Sequence, residues 1–268
     1  DRQQQESAPM AFPTMHTGES SGRLQRALRG TMEFVAIIAL VVVSRTVVAQ
    51  PFYVKSGSME PTLQIGDELL AAKWAYGYSR YSLPFALGPS SADRLLGKLP
   101  ERGDVVLFHL PRAPEEVYVK RAIGLPGDRI QVRGGYLWIN GSMTPLRPDG
   151  MGKMEMEDGS VVAVPRFIET LPNGREYPVF KLSWSGSFND TPVFVVPPGH
   201  VFMMGDNRDD SLDSRVPASA WGVGFVPVEN LIGRADIVLG SWDFPVMQRP
   251  FWTWPSGLRL SRFFARIS

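Results

Sequence analysis

Residues 118–128 read Tyr-Val-Lys-Arg-Ala-Ile-Gly-Leu-Pro-Gly-Asp, an apolar-rich run that ends in a Pro-Gly-Asp turn. Similar short runs recur along the chain, each bounded by Gly, Pro, Asn or Asp, at residues 105–108, 136–139, 193–196 and 235–239. Short strands separated by such turns are typical of antiparallel β structure. The sequence therefore predicts a mainly β protein built on an antiparallel sheet or partly open barrel.

The composition excludes several kinds of chemistry. The 268 residues include 26 Gly and 23 Pro, which favours short strands over a helical bundle. The chain has no cysteine, so disulfides, thiol catalysis and cysteine-ligated zinc are excluded. A formal net charge of +1 gives no electrostatic basis for binding nucleic acid. Metal-ligand spacings and a Gly-rich phosphate loop are missing, so we expect no metal and no cofactor.

One long apolar run lies near the N-terminus. Residues 34–43 are apolar without interruption, and extension to 31–50 gives about the 20 residues that cross a bilayer as a helix. Arg23, Arg26 and Arg29 precede the run, so the positive-inside rule predicts a cytoplasmic N-terminus. A buried core helix and a cleaved signal peptide are the alternatives, because the strict run is short.

These patterns divide the chain into a disordered cytoplasmic tail, a transmembrane helix, a β core in two parts separated by a β-rich insertion, and a C-terminal segment. The tail is polar and without periodicity. The insertion carries more Gly and charge than the core around it. In chain order the six segments are residues 1–30, 31–50, 51–146, 147–187, 188–243 and 244–268.

The C-terminal segment mixes aromatic rings with arginines. The rings and the charges alternate over the last 27 residues: Trp242, Phe244, Arg249, Phe251, Trp252, Trp254, Arg259, Arg262, Phe263, Phe264 and Arg266. This mixture suits the interface between water and lipid headgroups. A segment docked on the core by its aromatic rings is the alternative, and the two interpretations are compatible.

A candidate nucleophile follows the apolar run. Residues 56–63 read Ser-Gly-Ser-Met-Glu-Pro-Thr-Leu, and Ser58 in this stretch needs a base to take its proton. The three histidines, His16, His109 and His200, lie in no triad context, and a Gly-x-Ser-x-Gly elbow is missing. A Ser-His-Asp mechanism is therefore disfavoured.

A buried lysine is the other candidate base. Burial destabilises the ammonium form and lowers the pKa of a lysine toward the working range. If residues 118–121 form a strand, Lys120 and Arg121 face opposite sides, so one can be buried while the other is solvated. Taken alone, the tetrapeptide is better explained by two solvated basic residues on an edge strand.

Four motifs in a fixed order resemble those of bacterial type I signal peptidases, the leader peptidase family that uses a Ser–Lys dyad. They are residues 56–63, Gly-Asp-Val-Val at 103–106, the run at 118–128 and Gly-Asp-Asn-Arg-Asp-Asp-Ser-Leu-Asp-Ser-Arg at 205–215. The resemblance implies that Ser58 is the nucleophile and Lys120 the general base. It also implies that the Ser56 hydroxyl and the Ser58 N–H form an oxyanion hole.

The resemblance implies supporting roles for further residues. Ser211 matches a serine that orients the lysine, and Asp213 and Arg215 match a structural ion pair, whose spacing suits one face of a strand. Four apolar residues match positions that line the substrate pocket, with ordinary core packing as the alternative: Val54, Met59, Leu107 and Val119. Lys55 departs from the family, which usually has proline directly before Ser56.

The implied substrate is an exported preprotein, cut after small residues in an Ala-x-Ala pattern. The resemblance implies no metal or organic cofactor and no nucleic acid, and we expect a monomer in contact with membrane lipids. The implied location is the bacterial cytoplasmic (inner) membrane, with a single span, the N-terminus in the cytoplasm and the catalytic domain on the outer, periplasmic side.

Three alternatives differ from this assignment. A specialised relative that processes pilins or conjugation proteins would differ only in its substrates. A self-cleaving repressor would need a DNA-binding helix-turn-helix, where the chain has an apolar run instead. A membrane-tethered β domain that only binds would place Ser58 and Lys120 beyond hydrogen-bond reach, or leave Lys120 exposed.

Overall fold

The structure, a computed structural model, forms two compact units, residues 1–44 and 45–268. The first unit contains one helix, α1, and the second contains the strands. The residues that the structure describes are 18–43, 49–79, 81, 94–156, 160–243, 246 and 250–267.

Helix α1 spans Gly18–Val43. The predicted disordered tail is wrong from Gly18 onward, because residues 23–29 are mostly strong helix formers such as Leu, Arg, Ala and Gln. Residues 1–17 lie outside the described part. The predicted span 31–50 also extends too far, because its last two residues already belong to a strand. Among the described residues, no helix combines the length and the apolar character needed to cross a membrane.

Fourteen strands are described in the second unit. Their bounds are β1 Ala49–Tyr53, β2 Asp67–Ala72, β3 Val105–Leu110, β4 Ala113–Gly124, β5 Arg129–Arg133, β6 Tyr136–Ile139, β7 Ser142–Met143, β8 Leu146–Glu155, β9 Val161–Thr170, β10 Glu176–Phe180, β11 Phe194–Val195, β12 His200–Met204, β13 Val226–Pro227 and β14 Leu231–Ser241. Every run that the sequence marked as strand-like contains or overlaps one of these strands.

The largest sheet has seven strands in the order β1-β2-β14-β3-β4-β12-β13. All its pairs are antiparallel, which confirms the predicted mainly antiparallel β fold. Closure into a barrel stays a prediction. Strand β4 lies inside the sheet, with Lys120 opposite Val106 of β3 and Ala122 opposite Met203 of β12.

Two smaller sheets complete the second unit. One has four strands in the order β11-β5-β6-β7. The other has three strands, in the order β10-β9-β8, which lie between residues 146 and 180 and overlap most of the predicted insertion, residues 147–187. A parallel bridge between Phe180 and Asn207 links strand β10 of this sheet to the loop at residues 205–215. That contact places the three-stranded sheet next to a motif loop.

Apolar side chains cover both faces of the main sheet. Along β3, Val106 and Phe108 enter one buried cluster, whereas Val105 and Leu107 enter another. Alternate residues of a strand point to opposite faces, so neither face of β3 is open to water. In the neighbouring strand β4, residues 120–124 are equally buried, whereas residues 114–117 are exposed.

The C-terminal segment packs along β14 through bridges from Trp242 to Leu258 and from Ile237 to Arg266. Its arginines bind the loop that follows residue 60: Arg259 Nη1 donates to the Ile65 carbonyl at 2.6 Å, and Arg262 Nε donates to Asp67 Oδ1 at 2.8 Å. Several of its rings remain exposed: Phe251, Trp252, Trp254 and Phe264. The segment is thus docked through its arginines and backbone, and also through Ala265 and Ile267, which pack against a buried apolar cluster. Predicted members Phe244 and Arg249 lie outside the described residues.

Candidate active site

The candidate nucleophile lies on a single tight turn, Gly57–Met59, between β1 and β2. The Glu60 N–H closes this turn on the Gly57 carbonyl at 3.0 Å. Asn207 holds it from the other side, donating its backbone N–H to the Ser58 carbonyl at 3.2 Å and Nδ2 to the Gly57 carbonyl at 3.3 Å. We call residues 57–59 the nucleophile turn.

Lys120 meets the nucleophile turn from β4. Its Nζ donates to Ser58 Oγ at 2.6 Å. Lys120 is 3% exposed and Ser58 is 9% exposed, so the contact lies in a largely water-free place. The structure therefore brings together the two residues that the sequence analysis paired.

Burial sets the protonation of this lysine. It lowers the pKa of Lys120 to about 8, although the nearby carboxylates of Asp213 and Asp206 act in the opposite direction. At mildly alkaline pH a large share of Lys120 is therefore neutral. A neutral amine at 2.6 Å from a serine hydroxyl is able to accept its proton.

Ser56 lies at the entrance to the dyad. Its Oγ is 3.3 Å from Ser58 Oγ, and its backbone is extended, with φ −137° and ψ 155°. The Ser56 hydroxyl is exposed and lies next to the nucleophile. If Ser58 Oγ bonds to a carbonyl carbon, the oxygen of that carbonyl group is within reach of the Ser56 hydroxyl. Lys55, which replaces the usual proline, is exposed and is followed directly by Ser56.

Ser211 is close to the dyad without bonding to it. Within the described chain its Oγ is buried and has no hydrogen-bond partner, so the predicted bond to Lys120 is not formed. A Cβ added at Gly205 would lie 2.2 Å from Ser211 Oγ and 2.4 Å from the Ser58 carbonyl oxygen. Ser211 thus packs against the same glycine that touches the nucleophile turn, and Lys120 donates to Ser58.

Asp213 and Arg215 form the predicted ion pair. Arg215 donates Nε to Asp213 Oδ1 at 2.8 Å and Nη2 to Oδ2 at 2.7 Å. The predicted strand geometry is wrong: both residues lie in a loop, where the Asp213 carboxylate also accepts the Arg215 N–H at 3.1 Å. An aspartate that binds the backbone two residues on stabilises a turn. Burial would raise the pKa of Asp213, but Arg215 keeps it below its ordinary value.

Arg121 is fully buried and Lys120 is nearly so, so the alternative of two solvated basic residues on an edge strand is wrong. Its Nε and Nη2 donate to the two oxygens of Asp206 at 2.8 and 2.7 Å, and its Nη1 donates to the Gly103 carbonyl at 2.7 Å. Thr62 Oγ1 also donates to Asp206, at 2.5 Å. The four sequence motifs therefore meet at one buried Arg–Asp pair.

A second buried charge cluster fixes the 205–215 loop to the three-stranded sheet. Arg208 donates Nη1 to Glu169 Oε1 at 2.9 Å and Nη2 to the Tyr177 hydroxyl at 2.9 Å. Burial would raise the pKa of Glu169, but Arg208 holds it below its ordinary value. The carboxylate is thus charged and paired, which satisfies the rule for buried ions.

The four residues predicted to line a pocket share one apolar cluster. Val54, Met59 and Leu107 are almost fully buried there, whereas Val119 is partly buried. Their burial fits core packing, and their contact with a substrate stays a prediction. In the described part of the chain, no group of three or more His, Cys, Asp or Glu side chains is arranged to hold a metal ion.

The sequence is similar to proteins of one known family. The profile of the family described as signal peptidase, peptidase S26, matches residues 28–242. The chain belongs to this S26 family. Signal peptidase I of Rickettsia typhi is 38% identical to this S26 peptidase over 250 residues, which are 87% of this chain and 91% of that protein. Signal peptidase I of Rickettsia felis is 36% identical over 270 residues, 95% of this chain and 97% of that protein.

Membership of the family makes the chain a serine endopeptidase. A solved signal peptidase I from Enterococcus faecalis is 24% identical and covers 51% of this chain and 97% of its own, with a TM-score of 0.30.

Sequence reasoning missed three residues that shape the site of this S26 peptidase. Asp206, Asn207 and Glu60 all lie within the sequence motifs, but no role was predicted for them. Asp206 pairs with Arg121 of β4, 85 residues away in the chain, so no neighbouring residue signals the pair. The link from Asn207 to the nucleophile turn depends on loop packing that no local pattern predicts.

Proposed function

We propose that this protein removes N-terminal signal peptides from exported preproteins, with Ser58 as nucleophile and Lys120 as general base. One observation carries the proposal: the buried 2.6 Å contact between Lys120 Nζ and Ser58 Oγ. The family and the relatives named signal peptidase I support the substrate class. A domain that only binds has no need of a buried lysine at this distance from a serine.

In the first step, neutral Lys120 takes the proton of Ser58 Oγ while this oxygen bonds to the scissile carbonyl carbon. The carbonyl π electrons move to the oxygen, which becomes an oxyanion. Burial supports this step, because it lowers the pKa of Lys120 to about 8 and so makes the neutral base available.

The Ser58 N–H and the Ser56 hydroxyl are proposed to donate to this oxyanion. Ser56 Oγ at 3.3 Å from Ser58 Oγ is near enough to do so. Removal of one such donor typically lowers kcat by about 100- to 1,000-fold. Ser56 therefore contributes to the transition state more than to substrate binding.

In the remaining steps, the Lys120 ammonium returns its proton to the leaving amine as the C–N bond breaks and the mature protein departs. Water then attacks the acyl ester on Ser58, Lys120 takes the water proton, and Ser58 Oγ recovers a proton when the C–O bond breaks. Ser211 bonds to no described group, so its proposed role of orienting Lys120 requires a hydrogen bond that forms only during the reaction. The Asp213–Arg215 pair is proposed to hold the loop that carries Ser211.

The finer features of the proposal concern specificity and location. Shallow apolar subsites built from Val54, Met59, Leu107 and Val119 would accept the small residues of an Ala-x-Ala pattern. The protein is proposed to act as a monomer at the outer face of the bacterial cytoplasmic membrane, where a single N-terminal transmembrane span anchors it. Exposed apolar side chains on α1 and exposed rings at residues 251–264 support contact with lipid.

The test is to incubate the purified full-length protein with a preprotein that carries an Ala-x-Ala signal peptide, and to map the cut by mass spectrometry. We expect one cut directly after the second Ala, absent in Ser58→Ala and unchanged in Ser142→Ala, an exposed serine on β7. Cleavage by Ser58→Ala at the wild-type rate would refute the assignment.

A further inference from the structure

A buried acid that takes no part in the chemistry above lies against the nucleophile turn. Glu60 is 3% exposed and directly follows the turn. A Cβ added at Gly57 would lie 3.4 Å from Glu60 Oε2 and 3.5 Å from its Cδ, so the carboxyl group packs on Gly57. The side chain of Glu60 therefore folds back onto the turn that its own N–H closes.

The same carboxyl group reaches the three-stranded sheet. The N–H of Glu155, the last residue of β8, donates to Glu60 Oε2 at 3.3 Å. Its neighbour Met154 is also close to the turn, because Asn207 Nδ2 lies 3.2 Å from Met154 Sδ and 3.3 Å from the Gly57 carbonyl. The end of β8 is thus joined to the nucleophile turn at two points.

The charged groups around Glu60 make it an unfavourable place for an acid. Burial raises the pKa of Glu60 most strongly, and the carboxylates of Glu155 on β8 and Asp210 in the 205–215 loop raise it further. The hydrogen bond from the Glu155 N–H and the charge of Arg259 in the C-terminal segment lower it, which leaves the pKa at about 7. Arg259 is itself held by the Ile65 carbonyl at 2.6 Å and by Glu155 at 3.4 Å. An apolar residue of similar size would avoid this cost, so the presence of an acid points to a use for its oxygen.

We propose that Glu60 is a positioning residue for Ser58: by packing on Gly57 and accepting the Glu155 N–H, it fixes the peptide that joins Gly57 to Ser58. The N–H of that peptide is one of the two oxyanion donors, so the inference rests on the proposed function. The role requires an acceptor oxygen but does not require a negative charge, because the partner is a backbone N–H.

The position of the turn affects the transition state more than the bound substrate. An oxyanion donor acts on charge that appears only during the reaction, so its misalignment lowers kcat and leaves KM nearly unchanged. A residue needed only for folding would lower the amount of active enzyme, and a conservative amide would not selectively restore the rate constant.

The test uses two neutral variants of the full-length protein with a signal-peptide substrate. Glu60→Gln keeps the acceptor, whereas Glu60→Leu fills the space without one. We expect kcat of E60L to fall about tenfold or more with KM within about threefold of wild type, and kcat of E60Q to stay within about threefold. Amide exchange across residues 56–60 should be faster in E60L than in E60Q. Glu176→Gln, at an exposed glutamate on β10, serves as the control and should match wild type.

Two outcomes would overturn the inference: a wild-type kcat in E60L, or an E60Q as impaired as E60L. If the branched side chain of leucine prevents folding, as thermal unfolding would report, Glu60→Met provides the same comparison with an unbranched chain. Failure of the proposed function is separate, since it would appear as cleavage by Ser58→Ala whatever the Glu60 variants do.

Discussion

Burial acts in opposite directions on the pKa values of two residues beside the nucleophile. It lowers the pKa of Lys120, a cation, to about 8, and raises the pKa of Glu60, an acid, to about 7. In both cases the neutral form is favoured because charge is poorly solvated in the interior. For Lys120 the neutral form is the proposed base, whereas for Glu60 it is a neutral acceptor.

The raised pKa of Glu60 predicts how stability depends on pH. Between about 4.5 and about 7 the folded state binds more protons at Glu60 than the unfolded state does, so wild-type stability falls as pH rises through this window. Glu60→Gln does not titrate. Its free energy of unfolding relative to wild type should therefore rise from pH 4.5 to pH 8 by on the order of 2–4 kcal/mol. Urea unfolding at both pH values measures this difference, and a constant difference would contradict the assigned environment.

The Arg121–Asp206 pair predicts a large loss of stability on removal of one partner. Arg121→Met leaves the Asp206 carboxylate buried and unpaired, which typically costs about 3–5 kcal/mol. Arg234→Met breaks the same kind of pair with Asp236 at the surface, where both side chains are more than a third exposed, and should cost less than about 1 kcal/mol. Denaturant unfolding compares the two. Equal losses of stability in the two variants would mean that the buried pair contributes no more than the exposed pair.

At the scale of elements, the strands could be predicted because turn residues and apolar runs are local signals. Three other features could not be predicted from the sequence. Helix α1 begins at Gly18, in a polar region where only intrinsic propensity favours a helix. Arg121 is buried because the sheet is covered on both faces, which alternation along one strand cannot show. Asp213 and Arg215 pair within a loop, because an Asp side chain can bind the backbone two residues ahead.

The contact between the 205–215 loop and the nucleophile turn leaves no room for a side chain at Gly205. Gly205→Ala would place a methyl group 2.4 Å from the Ser58 carbonyl oxygen and should move the turn away from Lys120. We expect kcat/KM to fall about 100-fold, since small displacements of reacting groups have effects of this size. Gly240→Ala, whose nearest neighbour would be at 3.5 Å, should retain activity. Wild-type kcat/KM in G205A would show that the turn tolerates this displacement.

At the scale of the whole molecule, the site is assembled within one compact unit, residues 45–268. The pairing of β1 with β2 begins at Ala49, so a truncation must start before that residue. A chain of residues 45–268 should cleave a short signal peptide with kcat/KM within about threefold of the full-length protein, because both members of the proposed dyad belong to this unit. Loss of all peptide cleavage in a folded fragment would mean that residues 1–44 contribute to the site.

The central claim is that Ser58 is activated by a neutral Lys120, and the pH dependence of kcat/KM tests it most directly. Since burial lowers the pKa of Lys120 to about 8, the wild-type rate should rise with pH to a plateau with a midpoint near that value. Lys120→Met, which removes the base, should show no such rise and should be inactive across the range. Wild-type activity in Lys120→Met, or a midpoint near 6.5 typical of histidine, would contradict the claim and direct attention to His109 and His200.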